Sequence, residues 1–180
     1  MVTDINDVLK YLQKKQSAKR FHHTLGVAYT ATAMAMQFDV DINSAEIAGL
    51  LHDCAKYMDD NKSLNYCKKY NLPMTEIEKR NPFLLHGKIG AHISENRFGI
   101  TEPDIINAIR NHTTGRPGMS KLEKIIFVAD YIEPSRKLQP NLNEIRKLAF
   151  KDLDEVLKHC IKLQESILTK NKLGHIESGY

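Results

Sequence analysis

The sequence predicts an all-α fold. Hydrophobic residues recur with a period of 3.6 in almost every segment, and no alternating run of hydrophobic and polar residues indicates a β-strand. Capping residues and Gly or Pro breakers separate the periodic segments. These observations favour a helical bundle in which several helices converge on one site.

Periodicity and capping predict the first three helices. We expect one helix over residues 5–15 and a second over about 18–38, where residues 39–42 interrupt the pattern. Asn43 and Glu46 have the spacing of a capping box, and they predict the start of the third helix.

The third predicted helix carries an adjacent histidine and aspartate, His52 and Asp53. A short helix is expected near residues 62–70, before a group of breakers. A longer helix is expected over 84–97, and Gly99 ends it.

Two further helices are predicted from their caps. Thr101 is the expected N-cap of a helix that ends at His112, and residues 113–118 form a loop of turn-forming residues. Ser120 and Glu123 have the spacing of another capping box. The helix that they begin is expected to stop at the next proline.

The rest of the chain continues the same pattern. Beyond Pro134, residues 141–171 read as one or two amphipathic helices, and a polar C-terminal tail from about residue 169 is expected to be flexible. No repeat, low-complexity stretch or linker indicates a domain boundary. We therefore expect one domain over residues 1–180.

Composition excludes several classes of protein. The net charge of +4 is mildly basic, but Lys and Arg are scattered without interleaved aromatics, so we expect no nucleic-acid partner. The 3 cysteines form no CxxC motif, which is typical of a reducing compartment. No signal peptide and no membrane-length apolar run is present. We expect a cytoplasmic protein with no membrane association.

The most informative feature is the His52-Asp53 pair. On a helix, adjacent side chains point about 100° apart, so a metal ion between the two directions can take a ligand from each. Imidazole and carboxylate suit iron, manganese or zinc. The pair alone is weak evidence, but an ordered set of candidate ligands accompanies it: His23, His86, His112 and Asp130.

Each additional candidate has a structural alternative. His23 lies at the edge of the hydrophobic stripe of its helix, whereas the neighbouring His22 lies in the polar sector; a lone His23 would read as a hydrogen-bonded core histidine. Asp130 follows a hydrophobic run, so it requires a cation partner, either a metal or a Lys or Arg.

The remaining candidates border their helices. His86 opens a helix with Gly87 and Gly90 behind it, where small residues allow a close approach by another helix or a ligand. His112 ends its helix beside the turn-forming loop, and each histidine is either structural or functional. Lys56 and Arg20 each lie one helical turn from a candidate ligand. Each is either a solvated side chain or a contact for phosphate.

These residues carry a resemblance. The segments around His23, His52-Asp53 and Asp130 resemble the HD-domain metal-dependent phosphohydrolase superfamily. More narrowly, three segments resemble the bacterial YqeK family of symmetrical bis(5′-nucleosyl)-tetraphosphatases, which split diadenosine tetraphosphate into two ADP: His86-Gly87-Lys88-Ile89-Gly90-Ala91, His112-Thr113-Thr114-Gly115-Arg116 and Ala129-Asp130-Tyr131-Ile132-Glu133-Pro134-Ser135-Arg136.

The resemblance implies an HD-domain helical bundle around a metal site, with a small-molecule nucleotide as substrate. A homodimer is the assembly that we expect. The implied metal is iron, with manganese or cobalt as alternatives. Its implied ligands are His23, His52, Asp53 and Asp130. The implied catalytic residues are Asp53, Lys56, His86 and His112. The implied substrate contacts are Arg20, Lys56, His86, His112, Thr113, Asp130 and Arg136.

Several alternatives stay open at this point. His86 and His112 either contact phosphate, the interpretation that we favour, or complete a second metal site with Asp53 as the bridge. The competing functions are an HD-type nucleotidase on nucleoside mono- or diphosphates, a non-catalytic metal-bound nucleotide sensor, and a di-iron oxygenase.

Overall fold

The computed structural model describes residues 4–137 and 141–162. Over these ranges the chain is helical and contains no β-strand, as the sequence predicts. The elements are α1 (Ile5–Lys15), α2 (Ala18–Gln37), α3 (Ile42–Leu51), α4 (Asp60–Lys69), α5 (Glu76–Arg80), a 3₁₀-helix (Pro82–Leu84), α6 (Leu85–Phe98), α7 (Pro103–Asn111), α8 (Lys121–Ile132), α9 (Leu142–Ala149) and a helical run over 153–162.

Most of the predicted helix boundaries are confirmed. Helix α1 has the predicted range, and α2 ends one residue before the predicted Phe38. Gly99 adopts the left-handed conformation, with φ of 67°, and ends α6. Ser120 and Glu123 form the predicted capping box of α8.

Two predicted N-caps are wrong. Asp41, not Asn43, caps α3, because its side chain accepts the Ser44 backbone N–H and the helix begins two residues earlier than predicted. Thr101 is not the cap of α7. Pro103 occupies the first turn, where its fixed φ and missing N–H suit a helix start, and this shifts the N-cap to Glu102.

The predicted location of the His52-Asp53 pair on a helix is also wrong. Helix α3 ends at Leu51, and His52 is its C-cap. Residues 52–57 form tight turns, in which the Lys56 N–H donates to the Asp53 carbonyl at 3.0 Å. Hydrogen bonds between residues i and i+3 tighten the chain after the end of the helix, so the side chains there point in directions that a continued α-helix would not give them.

Helix α5 was not predicted, although its capping box follows the same rule as that of α8. Thr75 accepts the N–H of Glu78, whose side chain accepts the Thr75 N–H. A five-residue helix is too short for periodicity to reveal.

Close helix packing positions the site. Helix α2 packs against α3 and α8, and α7 packs against α6 and α8. A Cβ at Gly49 would lie 2.7 Å from Ala28 Cα, and a Cβ at Gly87 would lie 2.6 Å from the Arg110 carbonyl oxygen. The expected close approach behind His86 is therefore confirmed, and it is the backbone of α7 that approaches.

The tail from about residue 169 lies outside the described residues, so its predicted flexibility stays a prediction. Among the described residues, no helix has both the length and the apolar character that crossing a bilayer requires.

Candidate metal centre

Elements far apart in the sequence bring the predicted site residues together. Helix α2 contributes one histidine, the turn after α3 contributes the His-Asp pair, and the facing ends of α6 and α7 contribute one histidine each. Helix α8 contributes an aspartate. Four histidines and one aspartate are buried, and the second aspartate is partly buried: His23, His52, Asp53, His86, His112 and Asp130.

The first cluster contains His23, His52 and Asp130. One potential ligand atom from each residue lies within 4.8 Å of the other two. His23 Nε2 lies 3.1 Å from Asp130 Oδ1. The Nε2 atoms of His23 and His52 are buried without a hydrogen-bond partner. Because buried polar atoms are normally satisfied, these two nitrogens fit a cation that accepts their lone pairs.

The two oxygens of Asp53 face in different directions. Oδ2 lies 3.6 Å from His52 Nε2 and 3.8 Å from His23 Nε2. Oδ1 lies 3.2 Å from His86 Nε2 and 3.4 Å from His112 Nε2. Asp53 therefore stands between two pairs of histidines.

The second cluster contains His52, Asp53 and His112, whose potential ligand atoms also lie within 4.8 Å of one another. His86 Nε2 lies 3.1 Å from His112 Nε2. Thr113 Oγ1 lies 3.0 Å from both of these nitrogens. The histidines at the facing ends of α6 and α7 thus meet at Asp53 Oδ1.

Each site histidine has its Nδ1 atom occupied. In His52, His86 and His112, Nδ1 donates to the backbone carbonyl three residues earlier, at 2.6, 2.5 and 2.8 Å. In His23, Nδ1 donates to Glu133 Oε1 at 3.0 Å. A neutral histidine that donates from Nδ1 presents a lone pair at Nε2, which is the form that binds metals.

Burial and neighbouring charges shift the pKa values of the site residues in different directions. Burial would lower the pKa of His23, but the carboxylates of Asp130 and Glu133 raise it. Complete burial lowers the pKa of His52 to about 3, so the ring is neutral at physiological pH. Burial alone would raise the pKa of Asp130, but His23 and Arg136 hold it well below its ordinary value. Burial would likewise raise the pKa of Asp53, but His52, His112 and His86 hold it well below its ordinary value. Both carboxylates are therefore ionised.

Cationic side chains surround these carboxylates. Arg20 Nη1 donates to Asp53 Oδ2 at 2.7 Å, and Arg136 Nη2 donates to Asp130 Oδ1 at 2.7 Å. The Lys56 ammonium lies 3.4 Å from both ring nitrogens of His86. Asp130 therefore has the arginine partner that its burial requires, and the same carboxylate also faces His23 in the candidate metal site.

Sequence reasoning missed two buried residues that support the site. Glu133 accepts a hydrogen bond from His23, and a signal for it existed, because it follows Asp130 by three residues in the segment that carries the resemblance. Gln16 donates from Nε2 to the Asp53 carbonyl at 3.2 Å, and Thr24 donates to Gln16. No sequence pattern indicates this second network.

Comparisons with known proteins agree with this centre. The HD domain family matches residues 20–135. The chain is 40% identical over 156 residues to the symmetrical bis(5′-nucleosyl)-tetraphosphatase of Bacillus subtilis (strain 168), covering 87% of this chain and 83% of the relative. The chain belongs to this family of HD-domain proteins.

Two further relatives support this assignment. The symmetrical bis(5′-nucleosyl)-tetraphosphatase of Staphylococcus aureus (strain NCTC 8325 / PS 47) is 36% identical over 177 residues, covering 94% of this chain and 90% of the relative. A crystal structure from Clostridium acetobutylicum, described as a predicted HD superfamily hydrolase involved in NAD metabolism, superposes with a TM-score of 0.90 at 37% identity. That match covers 98% of this chain and 93% of the other.

Proposed function

We propose that this HD-domain protein hydrolyses diadenosine tetraphosphate symmetrically to two molecules of ADP. The observation that carries the proposal is the pair of unpartnered, buried Nε2 atoms of His23 and His52 beside the carboxylates of Asp53 and Asp130. This ligand arrangement occurs in a chain 40% identical to a relative named for that activity.

The proposed ligands of the metal are His23, His52, Asp53 and Asp130. Two imidazole nitrogens and two carboxylates suit iron, with manganese and cobalt as alternatives. When bound, such an ion lowers the pKa of water and polarises a phosphoryl group. Because the two histidines keep their Nδ1 atoms occupied, their rings are fixed with Nε2 toward the proposed site.

The chain supplies positive charge for a tetraphosphate. Lys56, Arg20 and Arg136 lie around the carboxylates, and phosphoryl transfer depends chiefly on positioning and on neutralising charge on the phosphate oxygens. Asp53 is ionised and accepts a proton from the attacking water in the proposed reaction. The hydroxyl of Thr113, which lies beside His86, donates a hydrogen bond to a phosphate oxygen in the proposed complex.

His86 and His112 are proposed to bind phosphate from the opposite side of Asp53. Each donates from Nδ1 to a carbonyl, so their Nε2 atoms, 3.1 Å apart, would both present lone pairs if both rings were neutral. Burial lowers the pKa of His86, and the negative charge of a bound phosphate would stabilise a proton on its ring, remove that repulsion and create a cationic donor. A second metal ion held by His86, His112 and Asp53 would remove it equally well.

The second cluster, His52, Asp53 and His112, supports this binuclear form of the same function. Elemental analysis of protein purified without chelator distinguishes the two forms. One tightly bound equivalent of metal per chain fits the mononuclear centre, and two equivalents fit the binuclear one. Protein without metal, and without activation by added iron, manganese or cobalt, would contradict the proposed centre.

A nucleotide panel tests the substrate. The metal-loaded protein is incubated separately with diadenosine tetraphosphate, ADP and AMP, and Asp53→Asn serves as the inactive control. We expect the tetraphosphate alone to be consumed. Release of phosphate from ADP or AMP, with the tetraphosphate intact, would favour the nucleotidase, and metal binding without any turnover would favour the nucleotide sensor.

The other expectations from the sequence stay predictions. They are a homodimer, a cytoplasmic location, the absence of a nucleic-acid partner and a single domain over residues 1–180.

A further inference from the structure

We infer that Glu133 is a positioning residue that orients and tunes His23 as a metal ligand, and that Gly26 provides the space that it requires. The inference rests on the metal centre proposed above. It concerns how tightly that centre holds its ion, and it assigns a function to two residues that contact neither the substrate nor the ion.

The position of His23 explains why it needs this partner. His52 and His112 are the C-caps of α3 and α7, where backbone carbonyls lack a partner within the helix and can accept from Nδ1. His23 lies inside the 20-residue helix α2, where the backbone carbonyls already accept hydrogen bonds from later N–H groups. An acceptor for its Nδ1 must therefore come from another element.

Glu133 comes from the end of α8. It is the C-cap of that helix and precedes Pro134, which favours an extended backbone, and Glu133 has φ of −51° and ψ of 154°. Its side chain is 1% exposed, and its Oε1 accepts from His23 Nδ1 at 3.0 Å. Its Oε2 accepts the backbone N–H of Ser135 at 2.6 Å, and its Oε1 also accepts the Ser135 hydroxyl, so the carboxylate is held in place against His23.

Gly26 lies under this carboxylate on α2, three residues after His23. A Cβ at this position would lie 2.6 Å from Glu133 Oε2 and 3.4 Å from Glu133 Cδ. The obstructing atom is the end of a side chain, so an added methyl group would push the carboxylate aside while leaving the helix packing in place. Because Oε1 of the same carboxylate contacts His23, we expect any residue larger than glycine to displace Glu133 from His23.

The acceptor of its Nδ1 distinguishes His23 from the other three site histidines. Backbone carbonyls orient those three rings, whereas the buried carboxyl group of Glu133 orients His23. A carboxylate behind a ligating histidine fixes the ring and increases its basicity, and its loss lowers metal affinity about 10- to 100-fold. A purely structural alternative exists, because Glu133 also accepts from the backbone and hydroxyl of Ser135.

Metal affinity distinguishes a role of Glu133 in orienting His23 from a purely structural role. Metal-free full-length protein is titrated with Mn²⁺ by calorimetry, and circular dichroism checks that each variant is folded. We expect Glu133→Gln, which keeps the volume of the side chain, to weaken Mn²⁺ binding about 10- to 100-fold. The matched control is Glu123→Gln, because Glu123 is also 1% exposed but accepts from Arg116, Asn111 and Ser120. The control should lower thermal stability and leave Mn²⁺ affinity unchanged.

A double-mutant cycle tests the link to Gly26. We expect Gly26→Ala to weaken Mn²⁺ binding in the wild-type background and to have no effect in Glu133→Ala, where the obstructing side chain is gone. Equal loss in both backgrounds, or unchanged affinity in Glu133→Gln, would overturn the inference. If Gly26→Ala does not fold, the comparison of Glu133→Gln with Glu123→Gln decides alone. Wild-type protein that binds no metal would instead contradict the proposed centre.

Discussion

At the scale of single residues, the candidate centre depends on which ring nitrogen of each histidine is already in use. All four site histidines donate from Nδ1, so Nε2 is the atom that each presents to the proposed site. The sequence identified these histidines from their order and their neighbours. It held no information on ring orientation, because three of the acceptors are backbone carbonyls and the fourth, Glu133, is 110 residues away from His23.

The first prediction compares two adjacent histidines. His23 is buried and faces Asp130, whereas His22 is exposed on the same helix. His23→Ala should lose metal and activity together, and His22→Ala should change neither by more than about twofold, as for a surface substitution. Metal content and hydrolysis of diadenosine tetraphosphate are measured on both variants. Loss of metal from His22→Ala alone would contradict the proposed ligand set.

The second prediction concerns Lys56. Its ammonium lies beside His86, which is a proposed phosphate contact, whereas Arg136 donates directly to the proposed metal ligand Asp130, so Lys56 gives the cleaner test. Charge-assisted bonds to phosphate contribute about 1.5–3 kcal/mol. Lys56→Ala should therefore lower kcat/KM about 10- to 100-fold at unchanged metal content.

The matched control for Lys56 is Lys62→Ala. Lys62 is a surface lysine whose side chain is 69% exposed and pairs with Asp59. This substitution should leave kcat/KM unchanged, because an exposed ion pair contributes little. An equal fall in kcat/KM for both lysine variants would show a general effect of surface charge and remove Lys56 from the proposed site.

At the scale of elements, the site is built largely from helix ends. His52 and His112 cap α3 and α7, and His86 lies in the first turn of α6. Periodicity predicted most helices to within a few residues, but it extended the third helix through His52 and Asp53. The hydrophobic pattern continues past Leu51, so it gives no sign that the helix ends there and that His52 and Asp53 lie at the start of a turn.

The third prediction concerns the contact between α6 and α7. A Cβ at Gly87 would lie 2.6 Å from the Arg110 carbonyl oxygen, which is backbone and cannot rotate away. Gly87→Ala should lower the free energy of unfolding by about 1–3 kcal/mol, as overpacking does, and should lower activity by moving His86 away from His112. Denaturant unfolding and hydrolysis assays measure the two effects.

Gly90→Ala is the control on the same helix. A Cβ there would lie 3.4 Å from Cys54 Sγ and 3.4 Å from Ile109 Cγ2, so side chains must shift by only a few tenths of an ångström. We expect a smaller change in the free energy of unfolding than for Gly87→Ala, since alanine also has the higher helix propensity. Greater destabilisation by Gly90→Ala would contradict this account of the packing.

At the scale of the whole molecule, the centre exists because α2, the turn after α3, α6, α7 and α8 converge. The sequence predicted the members of this set from their order along the chain. It did not predict that the oxygens of Asp53 face two different pairs of histidines, nor that Glu133 and Gln16 support the ligands from behind. Those features depend on how the helices pack, and no residue spacing along the chain predicts that packing.

The fourth prediction concerns global stability. A metal that binds the folded chain and not the unfolded one stabilises it, by about 2.7 kcal/mol when the free metal is 100 times its Kd. Removing the metal should therefore lower Tm by about 5–10 °C in a chain of this size. Thermal unfolding before and after chelation measures this, and Mn²⁺ or Fe²⁺ should restore Tm. An unchanged Tm after verified metal removal would contradict a centre that links these helices.

The most direct test of the proposed function is the position of cleavage. Metal-loaded protein hydrolyses diadenosine tetraphosphate in H₂¹⁸O, and chromatography with mass spectrometry identifies the products. Symmetrical attack by water on one of the two central phosphorus atoms predicts ADP as the sole nucleotide product, with one ¹⁸O atom for every two ADP molecules. A mixture of AMP and ATP would show cleavage of an outer P–O–P bridge and would contradict the account.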